Sequence, residues 1–275
     1  MESRAALLTA KESGSRVLST QSGGRFQRVV DPMHFEAHAD EYARARPPYP
    51  AALWERMREL GLLKPGLRAL DLGAGTGQAT GPLLAAGLSV TAVEPGSQLA
   101  SQLQASHPRA SVIVARAEDL DLPSHSFDIA VAATSIHWMD LDVVLPMVHR
   151  LLTPKGKFAV WRNVFGDASV PTPFRARVAE IVGNRTTPRR AGVHAEDVAA
   201  TRAELTRSGF FSVDDVSTYR WSIEMDADQV RRLFSTFSDW GPSDVARAVE
   251  AVRELGGRVV EHYQSWLIVL GLRRR

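Results

Sequence analysis

The chain has 275 residues, 44% of them apolar and 23% charged, enough to bury a sizeable core as one large domain or two small ones. It contains no cysteine, which excludes a disulfide framework, a thiolate metal site and cysteine nucleophilic catalysis. The formal charge is only +2, yet 29 arginines against four lysines hold the isoelectric point near 9.1.

Those arginines are scattered, and no basic run interleaved with aromatics appears, so no nucleic-acid partner is expected. The first residues, MESRAALLTAKESGSR, carry charge at Glu2 and Arg4 and no apolar segment of the signal-peptide kind. The longest apolar runs, such as Trp266 to Leu272, are too short to span a bilayer. A cytoplasmic location and no membrane partner are therefore expected.

Residues 1–32 are rich in Ser, Thr, Gly and Arg and read as an extension, flexible or with a short helix from Glu2 to Lys11. From residue 33 onward one domain is expected to run to residue 275. Within it, 33–60 would form a lid and 166–208 a substrate-side insertion.

A helix over Ala51 to Leu60 is followed by a Lys64-Pro65-Gly66 turn. Strands are predicted at Leu67 to Leu72, Ser89 to Glu94, Ser111 to Ala115, Phe127 to Ala133 and Lys157 to Arg162. Helices are predicted between them at Gln78 to Ala86, Ser97 to Ser106 and Leu141 to Leu152. Short apolar strands alternating with helices predict a doubly wound parallel sheet covered on both faces. The remainder is less regular. An Arg- and Pro-bearing segment from Pro171 to Arg190 leads to a helix over Ala195 to Ser208. A strand over Phe210 to Tyr219, helices over Asp226 to Phe237 and Ser243 to Leu255, and a strand over Gln264 to Leu272 complete the chain.

The sharpest local signal is Leu70-Asp71-Leu72-Gly73-Ala74-Gly75-Thr76-Gly77, at the junction of the first strand and its helix. Glycines there let the backbone turn sharply and approach a ligand without a Cβ in the way. The spacing is not that of a dinucleotide fingerprint, because position 78 is Gln, and no Gly-Lys-Ser/Thr follows to make a P-loop. The second strand ends in Glu94, a carboxylate placed to accept the hydroxyls of a ribose. Ala115-Arg116-Ala117-Glu118-Asp119-Leu120, with Leu122-Pro123, follows the third strand, and Ser126 to Val131 opens the fourth.

Taken together, LDLGAGTG, VEP, ARAEDLDLP and SFDIAVAA resemble the class I S-adenosylmethionine-dependent methyltransferases of the type-11 group. The resemblance implies a Rossmann-like, mostly parallel sheet of seven strands with its last strand antiparallel, and S-adenosylmethionine as cofactor with S-adenosylhomocysteine as product. It implies that Asp71 and the Gly73, Ala74, Gly75 and Gly77 loop hold the methionine part. It places Glu94 at the ribose and Ala117 and Glu118 at the adenine, with Pro95 and Thr134 as further cofactor-binding candidates. Phe35 to Tyr42, with Arg46-Pro47-Pro48-Tyr49-Pro50, looks like the lid segment of trans-aconitate-methyltransferase-like enzymes, and Ile136-His137-Trp138-Met139-Asp140 resembles the stretch after their fourth strand. Met139 departs from the usual Phe, and Gly73-Ala74-Gly75 from the commoner Gly-Cys-Gly.

Methyl transfer is an in-line displacement in which positioning two reactants in a dry pocket supplies most of the rate. A base is needed only when the acceptor must lose a proton. His137 is the candidate base or orienter because it follows the fourth strand, and a packing role beside Trp138 explains it equally. Tyr42 and Tyr49 are further catalytic candidates, and Arg46 is placed to pair with the cofactor carboxylate. Trp138, Trp161 and Arg162 are candidate acceptor contacts. Arg175, Arg177, Arg185, Arg189 and Arg190 could bind an anionic acceptor or simply be solvated. Phe210, Phe211, Trp221, Phe234, Phe237 and Trp240 could line an aromatic acceptor's pocket or simply be core. No histidine shows metal-ligand spacing, and no metal is expected.

The expected function is methylation of a small molecule at oxygen, nitrogen or carbon, in the manner of specialised metabolism, with homo-oligomerisation left open. The alternatives are a fold relative that performs a non-methylating reaction such as a cyclisation, and a non-catalytic module that keeps the cofactor pocket.

Overall fold

Burial of the short apolar strands decides the architecture. In the computed structural model, which describes residues 45–184, 196–237 and 239–273, Ala69, Leu70, Asp71 and Leu72 of β1 (Arg68–Leu72) are all fully buried. A strand buried on both faces must sit in the middle of a sheet with helices above and below. Around it lie β2 (Ser89–Val93), β3 (Ser111–Ile113), β4 (Phe127–Ala133) and β5 (Leu152–Phe165). The edge is completed by β6 (Phe211–Asp226) and β7 (Arg258–Leu272).

The seven strands run in the order β3-β2-β1-β4-β5-β7-β6. The first five are parallel, and β7 runs antiparallel between β5 and β6. The chain winds outward from β1 to β3, then returns to β4 and winds the other way. A crevice is therefore left at the carboxyl ends of β1 and β4, where ligands of open α/β sheets bind.

The helices are α1 (Ala51–Glu59), α2 (Thr80–Ala85), α3 (Ser97–Ser106), α4 (Leu141–Leu151), α5 (Pro173–Gly183), α6 (Val198–Arg207), α7 (Ala227–Ser235) and α8 (Pro242–Glu254). Several begin where local chemistry tells them to. Asp140 caps α4 at the Asp142 amide (3.0 Å), Asp197 caps α6, and Asp226 with Gln229 forms a reciprocal capping box on α7.

Two cores fill the faces of the sheet. One gathers Leu72, Val148, Phe158, Leu205, Phe211 and Trp266, and the other Leu53, Met57, Leu83, Val131, Trp161 and Leu267. A third apolar cluster, built from Phe174, Val178, Leu233, Phe234, Val249 and Val252, lies under α5, α7 and α8.

The elements differ from the sequence expectation in α5, in the greater length of β5 (Leu152–Phe165 against Lys157 to Arg162) and in the last two strands. The segment from Pro171 contains a helix, α5, started by the Thr172 side chain on the Arg175 amide (3.1 Å) and by Pro173 in the first turn. The last two strands are much longer than expected and pair with each other from Phe211↔Leu272 to Asp226↔Arg258, well past the end of β5 at Phe165↔Tyr263. Their alternating Trp221, Ile223 and Met225 continue the strand period beyond the point where the apolar run weakens. Within the expected insertion over 166–208, α6 buries Leu205 in the first core, while α5 packs with α7 and α8, which lie between β6 and β7 in sequence, to form a cap around the third cluster.

The expected helix over Glu2 to Lys11, the 1–32 extension and the Phe35 to Tyr42 segment lie outside the described residues. Among the described residues no helix is long and apolar enough to cross a membrane.

Candidate functional site

The glycine turn follows β1 and crosses the end of β2. Gly73 and Ala74 both donate their backbone N–H to the Val93 carbonyl, at 2.8 and 3.0 Å. The Gly75 amide donates to Glu94 Oε2 at 2.8 Å, and the Gly96 amide to Glu94 Oε1 at 2.9 Å. The acid at the tip of β2 is thereby clamped against the turn, its oxygens retaining lone pairs for a further donor.

Gly75 has φ +57°, and a Cβ there would meet no protein atom within 4 Å. Gly77 has φ +94°, and a Cβ there would fall 2.5 Å from the His107 ring. The first glycine faces open space at the crevice; the second is required by packing. Gly77 does not line the cavity.

Asp71 is fully buried beneath the turn. Its Oδ2 accepts from the Thr80 hydroxyl at 2.7 Å, whereas its Oδ1 has no hydrogen-bond partner. Burial pushes its carboxyl up to about 7, against the pull of Thr80 and with help from the charge of Glu94. An orphaned buried oxygen is costly and marks a place where a ligand or water group would be accepted.

One cavity gathers the turn and the strand ends. Gly73, Ala74, Gly75, Glu94, Pro95, Ala117, Glu118 and Thr134 line it, together with Arg46, Tyr49 and Trp138. Glu118 accepts from the Asp140 amide at 2.9 Å and pairs with Arg116. Burial works to raise its carboxyl, but these partners outweigh it and hold it below the ordinary value. Thr134 has φ +59°, an uncommon conformation for a β-branched residue, and is held by its amide on the Trp161 carbonyl (2.8 Å) and its hydroxyl against that of Tyr49 (3.0 Å). Arg46 donates to the Thr236 carbonyl at 3.1 Å and lies over the Phe237 ring.

Other sequence candidates stand elsewhere. Trp161, expected as an acceptor contact, is fully buried in the core, edge-on to Tyr49 (5.7 Å) and Trp54 (5.6 Å), because the side chains of a central strand near its end point into the helix layer. It supports the cavity wall without lining it. His137 and Arg162 also stand outside the lining and contact each other, Arg162 Nη1 donating to His137 Nδ1 at 3.0 Å. Crowding of the imidazole, and after it the charges of Arg162 and Arg46, lower the His137 pKa, although the residue as a whole is exposed to solvent, which weakens the burial contribution. Its ring lies 4.7 Å from that of Trp138. Arg177 pairs with Glu180 and Glu254 on the surface. Tyr42, Arg185, Arg189, Arg190 and His194 lie outside the described residues. Among the described residues no cluster of three or more His, Asp or Glu is placed to hold a metal ion.

Sequence reasoning missed several lining residues. Asn163 and Phe165 end β5, Tyr263 sits opposite them on β7, and Leu233 comes from α7. The alternation Trp161, Asn163, Phe165 along one strand was the available signal for the first two.

A seven-stranded sheet in this order, with a crevice at the carboxyl ends and an acid clamped to a glycine turn, defines the class: a Rossmann-like methyltransferase fold. Comparison with known proteins agrees. Residues 70–160 match the model of a methyltransferase domain. An uncharacterized methyltransferase of Mycobacterium tuberculosis is 28% identical over 217 residues, covering 74% of this chain and 86% of that protein. The malonyl-[acyl-carrier protein] O-methyltransferase of Serratia marcescens is 31% identical over 136 residues, covering 46% of this chain and 52% of that protein. A solved structure of a putative type II methyltransferase from Anaeromyxobacter dehalogenans superposes with a TM-score of 0.62 at 27% identity, covering 82% of this chain and 97% of that one. The fold is that of Rossmann-like methyltransferases, and residues 70–160 are similar to a methyltransferase domain.

Proposed function

We propose that this protein transfers a methyl group from S-adenosylmethionine to a small-molecule acceptor, at oxygen, nitrogen or carbon, and that it does so in the cytoplasm as part of specialised metabolism. The observation that carries the reading is the pairing of Glu94 with the Gly75 amide at the mouth of the crevice. The residues fit the cofactor. The open space at Gly75 leaves room for a ligand and Glu94 offers acceptors to ribose hydroxyls, while Asp71, buried beneath the turn and outside the cavity lining, would act by holding the turn in place. Ala117 and Glu118 would flank the adenine, Pro95 lines the same cavity, and Arg46 would face the carboxylate. Bound there, the cofactor supplies a methyl group on a positively charged sulfur.

The protein's own contribution is chiefly positional. The turn and the β2 tip fix one reactant, the cap wall confines the other, and closure of the crevice excludes water. Tyr49 and Thr134 shape the floor between them. His137 is proposed as an orienter through Arg162 and Trp138, because an imidazole held below its ordinary pKa is a weak base.

Calorimetric titration tests the reading. S-adenosylhomocysteine is expected to bind with a Kd on the order of micromolar and NAD to show no heat. Absence of S-adenosylhomocysteine binding by folded protein overturns the proposal.

A further inference from the structure

We propose that the acceptor seated at the cap end of this cavity is a planar, uncharged aromatic molecule bearing a hydroxyl or similar hydrogen-bonding group, held against Phe165, Phe237 and Tyr263; this rests on the methyltransferase reading above.

The two ends of the cavity differ in chemistry. The end at the glycine turn is polar, lined by Glu94, Arg116, Glu118 and backbone amides. The cap end is lined by Phe165, Leu233, Phe237 and Tyr263. Its rings form one connected wall: Phe165 stands 5.3 Å from Phe237 and 5.5 Å from Tyr263. The wall is braced from behind, because Trp221 stacks on Tyr263 at 4.5 Å and Phe234 packs on Phe165 at 5.2 Å. Rings fixed on their far side present a rigid apolar surface, which favours a flat partner that loses little freedom on binding.

The charge pattern argues against a multiply charged acceptor. Arg175, which the sequence offered as an anion binder, does not line the cavity. Its guanidinium lies 4.8 Å over Phe165 and faces the fully buried Glu261 carboxylate at 3.7 Å. Among the described residues lining the cavity, Arg46, assigned above to the cofactor carboxylate, is the cation nearest these rings, engaged with the Thr236 carbonyl and the Phe237 ring. A polycarboxylate would be desolvated against phenyl rings with one guanidinium to meet it.

Beside Arg46 and Asn163, the wall carries the Tyr263 hydroxyl. It is buried and has no hydrogen-bond partner in a residue that lines the cavity. Burial, and then the charge of Glu261, raise its pKa, so it stays protonated and available as a donor. A buried phenol left unpaired is unfavourable, and an acceptor oxygen placed against it removes that cost.

The test uses protein first titrated with S-adenosylhomocysteine and then, in the loaded state, with 2-naphthol, its saturated counterpart decahydro-2-naphthol, and trans-aconitate. We expect 2-naphthol to bind at least about tenfold more tightly than either of the others, and Tyr263→Phe to weaken it by about three- to tenfold, the range of one hydrogen bond. Phe237→Leu, a second variant that keeps an apolar side chain, is expected to weaken 2-naphthol likewise. With cofactor-product binding intact, trans-aconitate binding as tightly as 2-naphthol overturns the proposal. So does equal binding of the saturated compound, no binding of 2-naphthol, or no effect of both substitutions. Failure of S-adenosylhomocysteine to bind overturns the methyltransferase reading itself, and this proposal with it.

Discussion

Glu94 and Gly75, nineteen positions apart in sequence, are joined by a 2.8 Å hydrogen bond from the glycine amide to Oε2 of the carboxylate. The same carboxylate takes the Gly96 amide on its other oxygen. The acid therefore has two jobs: it shapes the turn, and it presents lone pairs to the cavity. Glu94→Ala is expected to weaken S-adenosylhomocysteine binding by about 1–3 kcal/mol, the range for hydrogen bonds to a charged group. Glu94→Gln, which keeps an acceptor for one amide, should lose less. Titration calorimetry on both variants decides it, and unchanged affinity in a folded Glu94→Ala protein removes Glu94 from the site.

Gly75 and Gly77 should respond in opposite ways to a methyl group. At Gly77 the added Cβ meets His107 at 2.5 Å and the φ of +94° is unfavourable, so Gly77→Ala is expected to lower stability by about 2–4 kcal/mol. Replacing His107 by Ala in the same chain should recover the steric part and leave the backbone part. At Gly75 the Cβ has room, so Gly75→Ala should cost about 1 kcal/mol in stability while reducing cofactor-product affinity. Denaturant melts and calorimetry on the two variants separate these effects; equal stability losses would contradict the assignment.

Two buried carboxyls make stability depend on pH. Asp71 and Glu261 are each pushed up to about 7, chiefly by burial. Between the ordinary carboxylate value and about 7 the folded chain keeps protons that the unfolded chain has lost. Stability contributed by these groups is thus fully present at low pH, falls as pH rises through that window, and levels off above it. The slope reaches at most about 1.4 kcal/mol per pH unit for each proton. Asp71→Asn and Glu261→Gln should each flatten the decline between pH 5 and 8, read as Tm against pH. Curves parallel to that of the parent protein would show that these carboxyls ionise normally.

His137 should contribute no ionisation to the reaction near neutrality, because desolvation and the neighbouring guanidinium groups hold its pKa low. Once an acceptor is in hand, kcat/KM for the parent protein and His137→Gln should follow the same pH profile between about pH 5 and 9, with a lower plateau in the variant. An acidic limb near the ordinary histidine pKa of about 6.5, present in the parent and lost in the variant, would restore His137 as a general base.

The amino-acid order determined the parts of this protein that depend on neighbours along the chain. Short apolar runs separated by helical periods specified the parallel strands β1 to β4. Glycines at 73, 75 and 77 specified a tight turn, and the acid at the end of β2 came with them. These features are legible because each rests on backbone geometry within about twenty residues.

The wall proposed for the acceptor was not legible in this way. A two-residue period shows that Trp161, Asn163 and Phe165 share one face of β5, but not that Trp161 is sealed by Tyr49 and Trp54 while Phe165 reaches the cavity. Nor does it show that Tyr263, almost one hundred residues later, pairs with Phe165. Strand period fixes which residues share a face, whereas the pairing register and the helices packed above fix what that face meets. The proposed cofactor end of the site was therefore written in local sequence, and the proposed acceptor end was decided only when β7 paired between β5 and β6 at the sheet edge.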